Sequence, residues 1–172
     1  MNEPAVKTYV DFVLPPSVVS KVDLAHLVQE VEWVDNELTA TSVRDKTGAP
    51  EQAPPSVSGA LEEFLSQNQL SLTNSQARSE LIKQLRLLKD KVPTIHMTFA
   101  VSADRESLQQ LAAWVRSSVH SQAVISIGLQ PALVAGVYLR TPNHVHDLSL
   151  RAMLKNGHGL LVKELETLRG VR

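Results

Sequence analysis

The sequence predicts an α+β protein, helical in its first half and mixed in its second half. Before residue 92, apolar residues recur every three or four positions, as in helices that bury one face. From residue 94 the apolar residues alternate, which is typical of strands. A stretch rich in proline, glycine and serine covers residues 45–59. We predict a helical N-terminal domain over residues 1–92, with a linker at 45–59, and a small α/β domain over 93–172.

The composition fits an ordinary globular protein of one domain or two small ones. The 172 residues are 43% hydrophobic, and 17 basic residues nearly balance 18 acidic ones. That balance argues against nucleic acid as a partner, because such binding usually needs a strong basic excess. There is no cysteine, which excludes disulfides and thiolate metal sites. Nothing in the composition suggests a cofactor.

No segment has the pattern of a membrane anchor. The first residues, Met1 to Pro4, lack the basic start and apolar core of a signal peptide. The longest apolar stretch, residues 132–139, is far shorter than the ~18 residues that a spanning helix requires. We expect a soluble protein that does not insert into a membrane directly.

Three helices are expected before residue 92. The first carries an apolar stripe from Leu24 to Leu38, with Ser20 or Asp23 as its cap. A short second helix covers residues 57–65. A longer third one, from Ala77 to Val92, is capped by residue 73, 74 or 75 and stopped by Pro93. Residues 9–14 fit either a brief helix or an extended arm.

The second half predicts three strands and two helices. The strands are residues 94–101, 123–127 and 133–140, and a helix that begins near residues 102–104 follows the first of them. Residues 141–144 form a turn. A final helix has a leucine stripe, which stays in phase across Gly157-His158-Gly159, so we expect one bent or weakened helix. The stripe consists of Leu150, Leu154, Leu161, Leu165 and Leu168.

The stretch from Pro131 to Leu154 resembles the C-terminal signature of the delta subunit of F-type ATP synthases, known in mitochondria as the oligomycin sensitivity-conferring protein. That signature has a proline, an aliphatic pair, two glycines, a strand ending in a basic residue, then Asp-x-Ser-x-Arg and a leucine. The matching residues are Pro131, Leu133, Val134, Gly136, Arg140, Asp147, Ser149, Arg151 and Leu154. Ala135 replaces the first glycine of the pair. The resemblance is specific over about the last eighty residues and thin before Gly59.

The resemblance implies a non-catalytic subunit of the peripheral stalk, or stator. Its C-terminal domain would bind the C-terminal helix of the b subunit, and its N-terminal domain would bind N-terminal segments of the alpha subunits. It would resist rotational torque during proton-driven ATP synthesis, and the complex would hold it at the cytoplasmic side of the energy-transducing membrane. The family begins with a bundle of six helices, whereas this sequence predicts a reduced bundle of three or four.

The same residues suggest structural roles without reference to the family. Gly136 allows another part of the chain to approach a strand closely. Asp147 is placed to cap the last helix, where free N–H groups favour a carboxylate. Arg151 follows it by four residues, the spacing of an ion pair on a helix surface.

Three more specific chemical functions can be considered, but the sequence supports each of them less well than a structural role. His144 and His146 could bind a metal, but only Asp147 is nearby as a third ligand, so we predict no metal site. A hydrolase could use His146, Asp147 and Ser149, but the Gly-x-Ser-x-Gly turn that exposes a nucleophile is missing. Gly157-His158-Gly159 lacks the Lys-Ser/Thr of a phosphate-binding loop.

Two alternatives to the stalk function stay open. One is a generic protein–protein adaptor, since thin cores favour the completion of an apolar face by a partner. The other, less favoured, is the small hydrolase.

Overall fold

The computed structural model describes residues 8–46, 55–141 and 144–169. These ranges contain five α-helices, four β-strands and two one-turn 3-10 helices at Tyr9–Asp11 and Pro131–Leu133. The α-helices are α1 Lys21–Lys46, α2 Gly59–Asn68, α3 Ser75–Lys91, α4 Arg105–Ser118 and α5 Leu150–Arg169. The strands are β1 Thr94–Phe99, β2 Val124–Leu129, β3 Gly136–Arg140 and β4 Val145–Ser149. The predicted α+β class is confirmed.

The chain divides into two compact units. The first takes in residues up to 93 together with 106–124, and the second takes in 94–105 and 125–172. Helix α4 belongs to the first unit, whereas the sequence placed it in a C-terminal domain over 93–172. The domain limits of 1–92 and 93–172 stay a prediction.

The first unit buries the apolar stripes of α1, α2 and α3 in one core. Phe12 and Phe64 meet there edge to face, with ring centroids 5.4 Å apart. The predicted stripe of α1 is confirmed, since Leu24, Leu27 and Val31 are all buried. Other members of this core are Leu14, Val18, Val28, Leu61, Leu81, Leu85, Leu88, Val92 and Val124.

Side-chain caps begin these helices where the sequence placed them. At α1 the Ser20 N–H donates to the Asp23 carboxylate at 2.8 Å, and the Asp23 N–H donates back to the Ser20 hydroxyl at 3.3 Å. At α3 the cap is Asn74, which accepts a hydrogen bond from the Gln76 N–H. The α3 helix ends at Lys91, two residues before Pro93, as expected.

A buried ion pair joins α1 to α3. Arg78 on α3 is almost fully buried, and its Nε lies 2.6 Å from Oδ1 of Asp35 on α1. The same guanidinium donates to the carbonyls of Leu72 and Thr73 at 2.8 and 3.2 Å. These two hydrogen bonds hold the turn between α2 and α3 in place. Each one gives a donor to a backbone carbonyl that is shielded from water by the surrounding side chains.

The segment before α1 is irregular and is held by side chains from the α4 region. After the 3-10 turn at Tyr9–Asp11, residues 12–19 form neither helix nor strand. Arg116 donates to the carbonyls of Leu14, Pro15 and Val18, and its Nε donates to the carbonyl of Ala123 at 3.1 Å. Burial lowers the pKa of this guanidinium, and its carbonyl partners offset the cost of desolvation.

The side-chain amide of Gln122 supports the residues at and just before the start of this segment. It donates to the carbonyls of Tyr9, Val10 and Phe12 at 2.7, 3.1 and 2.9 Å. Residues 9–14 are therefore a one-turn helix followed by an extended arm, so both shapes that the sequence allowed are present.

The second unit is built on a four-stranded mixed sheet, and the predicted three-stranded sheet is wrong in this detail. The strand order is β2-β1-β3-β4. Strands β1 and β3 are antiparallel, with Met97 opposite Leu139, and β3 and β4 are antiparallel, with Tyr138 opposite Asp147. The missed strand is β4, whose residues the sequence analysis left between the turn at 141–144 and the last helix, with Asp147 as the expected cap of that helix. Its alternation is weak because most of its side chains are exposed.

The ends of several predicted elements also differ, and the predicted strand over 133–140 begins only at Gly136, after the 3-10 helix Pro131–Leu133. Helix α1 continues through Lys46 and α2 begins at Gly59, so both ends of the predicted linker at 45–59 are helical. Residues 45 and 46 extend α1 because no glycine or proline occurs before Gly48. Residues 47–54 of that linker lie outside the described residues. The last helix is one continuous element across Gly157-His158-Gly159, as predicted.

Within the described ranges, no helix combines the length and the apolar character that crossing a bilayer would require.

Candidate partner-binding site

The stretch from Pro131 to Leu154 folds into one continuous feature of the second unit. Pro131 and Leu133 form the one-turn 3-10 helix, and Gly136 and Arg140 are the first and last residues of β3. Asp147 and Ser149 lie in β4, while Arg151 and Leu154 lie in the first turns of α5. The hairpin of β3 and β4 and the start of α5 therefore contain most of the motif.

Gly136 is the point of closest backbone approach in this feature. Its φ of +94° is one that side-chain-bearing residues rarely adopt. A Cβ added here would lie 2.4 Å from the carbonyl oxygen of Leu148 and 2.8 Å from Cα of Ser149. The expectation that Gly136 permits a close approach is confirmed, and the approaching partner is the backbone of β4.

A strained turn precedes Gly136. Val134 has φ +65° and ψ −55°, and the Ala135 N–H donates to the Leu133 carbonyl at 2.7 Å, which closes a γ-turn. This conformation is costly for a β-branched residue. The turn aims the Ala135 carbonyl at the Leu150 N–H, with a hydrogen bond of 3.0 Å, and so ties the start of β3 to the start of α5. The sequence carried no signal for this turn.

Ser149, rather than Asp147, caps α5. The Ser149 hydroxyl accepts a hydrogen bond from the Ala152 N–H at 3.2 Å, and the residue is 1% exposed. The expected cap at Asp147 is wrong because β4 extends through Ser149, which leaves Asp147 two residues before the residue that caps the helix. Asp147 supports the cap instead, since its Oδ1 accepts a hydrogen bond from the Ser149 N–H at 3.0 Å.

The Asp147 carboxylate is stabilised in its charged form. Hydrogen bonds from the hydroxyl and the N–H of Ser149 lower its pKa, and the charge of Arg151 lowers it further. Asp147 itself is exposed to solvent. Arg151 acts from the first turn of α5, so the two residues do not share a helix as the sequence suggested.

The remaining motif residues do not converge on one point. Arg140 is exposed at the end of β3, opposite Val145. Leu133 is half-buried and Pro131 is exposed in the 3-10 helix. The structure thus brings Gly136, Asp147 and Ser149 together and leaves the others spread along the hairpin and helix.

The first turns of α5 expose an apolar surface. Met153 is 66% exposed and Leu154 is 51% exposed, and Leu150 beside them is 40% exposed. Leu148 at the end of β4 is also exposed. We call Leu148, Leu150, Met153 and Leu154 the α5 patch. The sequence identified the leucine stripe but not Met153, nor Leu148, which lies in the missed strand.

The two chemical alternatives at this hairpin find little geometric support. The rings of His144 and His146 lie 6.2 Å apart, but the described residues contain no group of three side chains that could hold a metal. Alternation along β4 puts His146 on the opposite face from Asp147 and Ser149. The Ser149 hydroxyl is buried and occupied as a helix cap, so these three residues do not form a hydrolytic arrangement.

The first unit carries a separate open groove of about 670 Å³. Apolar residues of α1 (Val34, Leu38) and of the flanking segments (Val57, Leu72) line it, and Arg78 borders it. None of the motif residues contributes to this groove.

No protein-family model matches this chain, and a search of curated proteins finds no match to it. The resemblance to the delta-subunit family therefore rests on the residues of the Pro131–Leu154 stretch.

Proposed function

We propose that this chain is a delta-type subunit of an F-type ATP synthase, a non-catalytic part of the peripheral stalk. It links the catalytic head to the b-subunit stalk and resists the torque of rotation. It is peripheral to the energy-transducing membrane, on the cytoplasmic side, and its partners hold it there. This function needs many modest contacts and no reactive group.

The observation that carries the proposal is that Ser149 contacts two other motif residues, Gly136 on the neighbouring strand and Asp147 in its own strand. Gly136 pairs with Ser149 across the hairpin, and Asp147 accepts a hydrogen bond from the Ser149 N–H. Each residue therefore has a reason to be of its type. The glycine gives space, the serine caps α5 and the aspartate supports the cap. The motif specifies a hairpin joined rigidly to a helix, which suits a subunit that transmits force.

The α5 patch is the surface that we assign to the b subunit. An amphipathic helix with an exposed stripe pairs readily with a second helix of the same kind. Three of its four residues follow the Ser149 cap in the first turns of α5, so the motif fixes the direction in which this part of the patch leaves the sheet.

The groove in the first unit is the surface that we assign to the N-terminal segments of the alpha subunits. Its apolar lining and its hydroxyl-bearing rim, which includes Thr39, Thr41 and Ser42, fit a short amphipathic segment. The groove is formed by α1 and the segments beside α2 and α3, so a reduced bundle suffices to form it.

A pull-down of the purified chain against two peptides tests the proposal. One peptide is the C-terminal helix of the b subunit, and the other is the N-terminal segment of the alpha subunit. We expect both to bind. Binding to the b peptide alone would keep the stalk function and remove the groove assignment. Binding to neither would overturn the proposal and favour a generic adaptor, for which the exposed α5 patch is the supporting observation.

A further inference from the structure

The two edges of the sheet differ in how they are protected. Strands β2 and β4 are the edge strands. Strand β4 carries the exposed carboxylate of Asp147, and a charged side chain at an edge discourages pairing with other chains. Strand β2 reads Val-Ile-Ser-Ile-Gly-Leu and has neither a charge nor a proline. Ile127 is 45% exposed and Leu129 is 61% exposed, so the second half of β2 is an unprotected edge.

In this half-strand, every second residue directs its backbone N–H and C=O groups away from the sheet. The Val124 N–H donates to the Pro93 carbonyl at 3.0 Å, and the Gln130 N–H donates to the Phe99 carbonyl at 2.8 Å. Even-numbered positions of β2 therefore face β1. Because N–H and C=O groups alternate in direction along a strand, those of Ile127 and Leu129 face away from β1. Within the part of the chain that the structure describes, no strand pairs with them, so they can pair with a further strand.

We propose that β2 of one chain pairs with β2 of a second copy, antiparallel about a two-fold axis near Ile127 and Gly128. An isologous contact of this kind needs a surface that complements itself. Strand β2 meets that need because it has no charge to repel its copy, and Ile127 and Leu129 of each chain would cover those of the other. An equivalent pairing of β4 would bring His146 and Asp147 against their copies.

The predicted dimer is weak and depends on concentration. The first half of β2 cannot take part in the pairing, since Val124 and Ile125 are fully buried. Only the segment from Ser126 to Leu129 is accessible to a second chain. A contact this short belongs at the low end of interface sizes. This inference is independent of the stalk function, which concerns the α5 patch and the groove.

Sedimentation equilibrium on the full chain, from low micromolar to near-millimolar concentration, tests the pairing. We expect a reversible monomer–dimer equilibrium. Ile127→Lys places like charges against each other and should weaken association at least ~10-fold. Val145→Lys is the matched control, because it adds the same charge at an exposed position on the other edge strand, outside the α5 patch. It should leave association unchanged.

Amide hydrogen exchange on the unmodified chain gives a second readout that does not depend on a variant folding. The Ile127 and Leu129 amides should become protected as concentration rises, while the exposed amides of β4 should not. A chain that stays monomeric at every concentration would overturn the proposal. So would equal weakening by the two lysine variants, or concentration-dependent protection outside β2.

Discussion

At Gly136 the backbone of β3 passes so close to β4 that no side chain fits. The absence of a Cβ lets the Leu148 carbonyl and the Ser149 Cα approach. The positive φ adds a second reason for glycine. One residue thus determines the distance between the hairpin strands and, through Ser149, the position at which α5 begins.

Gly136→Ala should lower the free energy of unfolding by at least ~2 kcal/mol, because it adds both a clash and backbone strain. Urea denaturation monitored by circular dichroism measures this change. Gly157→Ala in α5 is the control. A Cβ there meets nothing within 4 Å, so the change should raise stability by up to about 1 kcal/mol. A Gly136→Ala variant as stable as the original chain would contradict the close approach.

Asp147 predicts a pH dependence of stability. Its pKa is lowered in the folded state, so its contribution is present above the unfolded pKa of about 3.9 and is lost as pH falls through the folded pKa. Asp147→Asn should therefore be less stable than the original chain at neutral pH, and the difference should fade in acid. Urea denaturation across this pH range measures it, with Glu166→Gln on α5 as a control for net charge. A difference that persists unchanged in acid would show that the charge has no part.

The structural role of a single residue could be predicted only where the residue type itself restricts the local backbone geometry. The need for space at Gly136 followed from its being glycine within a strand pattern. The exchange of roles between Asp147 and Ser149 did not follow, because both are good capping residues and the choice depends on where β4 ends. The γ-turn at Val134 could not be foreseen, since valine is unfavourable in that conformation.

Among the elements, the irregular segment over residues 12–19 depends on a distant side chain for its shape. Arg116 satisfies carbonyls of Leu14, Pro15 and Val18 that have no ladder or helix to pair with. Arg116 reaches these carbonyls from α4, about a hundred residues later in the sequence. The residues of the segment therefore contain no pattern that would indicate this contact. The path of this segment could not be predicted for that reason.

Arg116→Met should destabilise the chain by at least ~2 kcal/mol, because it leaves several carbonyls without a donor. Thermal and urea unfolding measure this loss. Arg86→Met is the control, since Arg86 makes an exposed ion pair with Glu32 at 2.7 Å. Such a pair contributes no more than about 1 kcal/mol. Equal effects from the two variants would contradict the role given to Arg116.

Most helices and strands could be predicted from the spacing of apolar residues along the chain, and there is a physical reason for each exception. The helix stripes and the strands β1, β2 and β3 were found because each buries at least part of one face. Strand β4 was missed because Ser149 is its one buried residue. Helix α5 was correctly predicted as one element because its leucine stripe keeps phase across two glycines.

For the whole molecule, the two units separate two kinds of surface. The first has an open groove beside α1, and the second has a helix whose first turns expose apolar side chains. The proposed stalk function requires two binding surfaces, and the proposal assigns one of them to each unit. The sequence predicted the motif and the stripe, but not the groove, which depends on the packing of α1 beside the segment that follows α2.

The most direct test of the stalk function is isothermal titration of the full chain with the C-terminal helix of the b subunit. We predict one-to-one binding that Met153→Glu on the α5 patch weakens at least ~10-fold, since it places a charge in an apolar contact. Val22→Glu is the matched control, because Val22 is similarly exposed in the first turn of α1. It should leave the affinity unchanged. No binding by the original chain, or equal loss in both variants, would contradict the account.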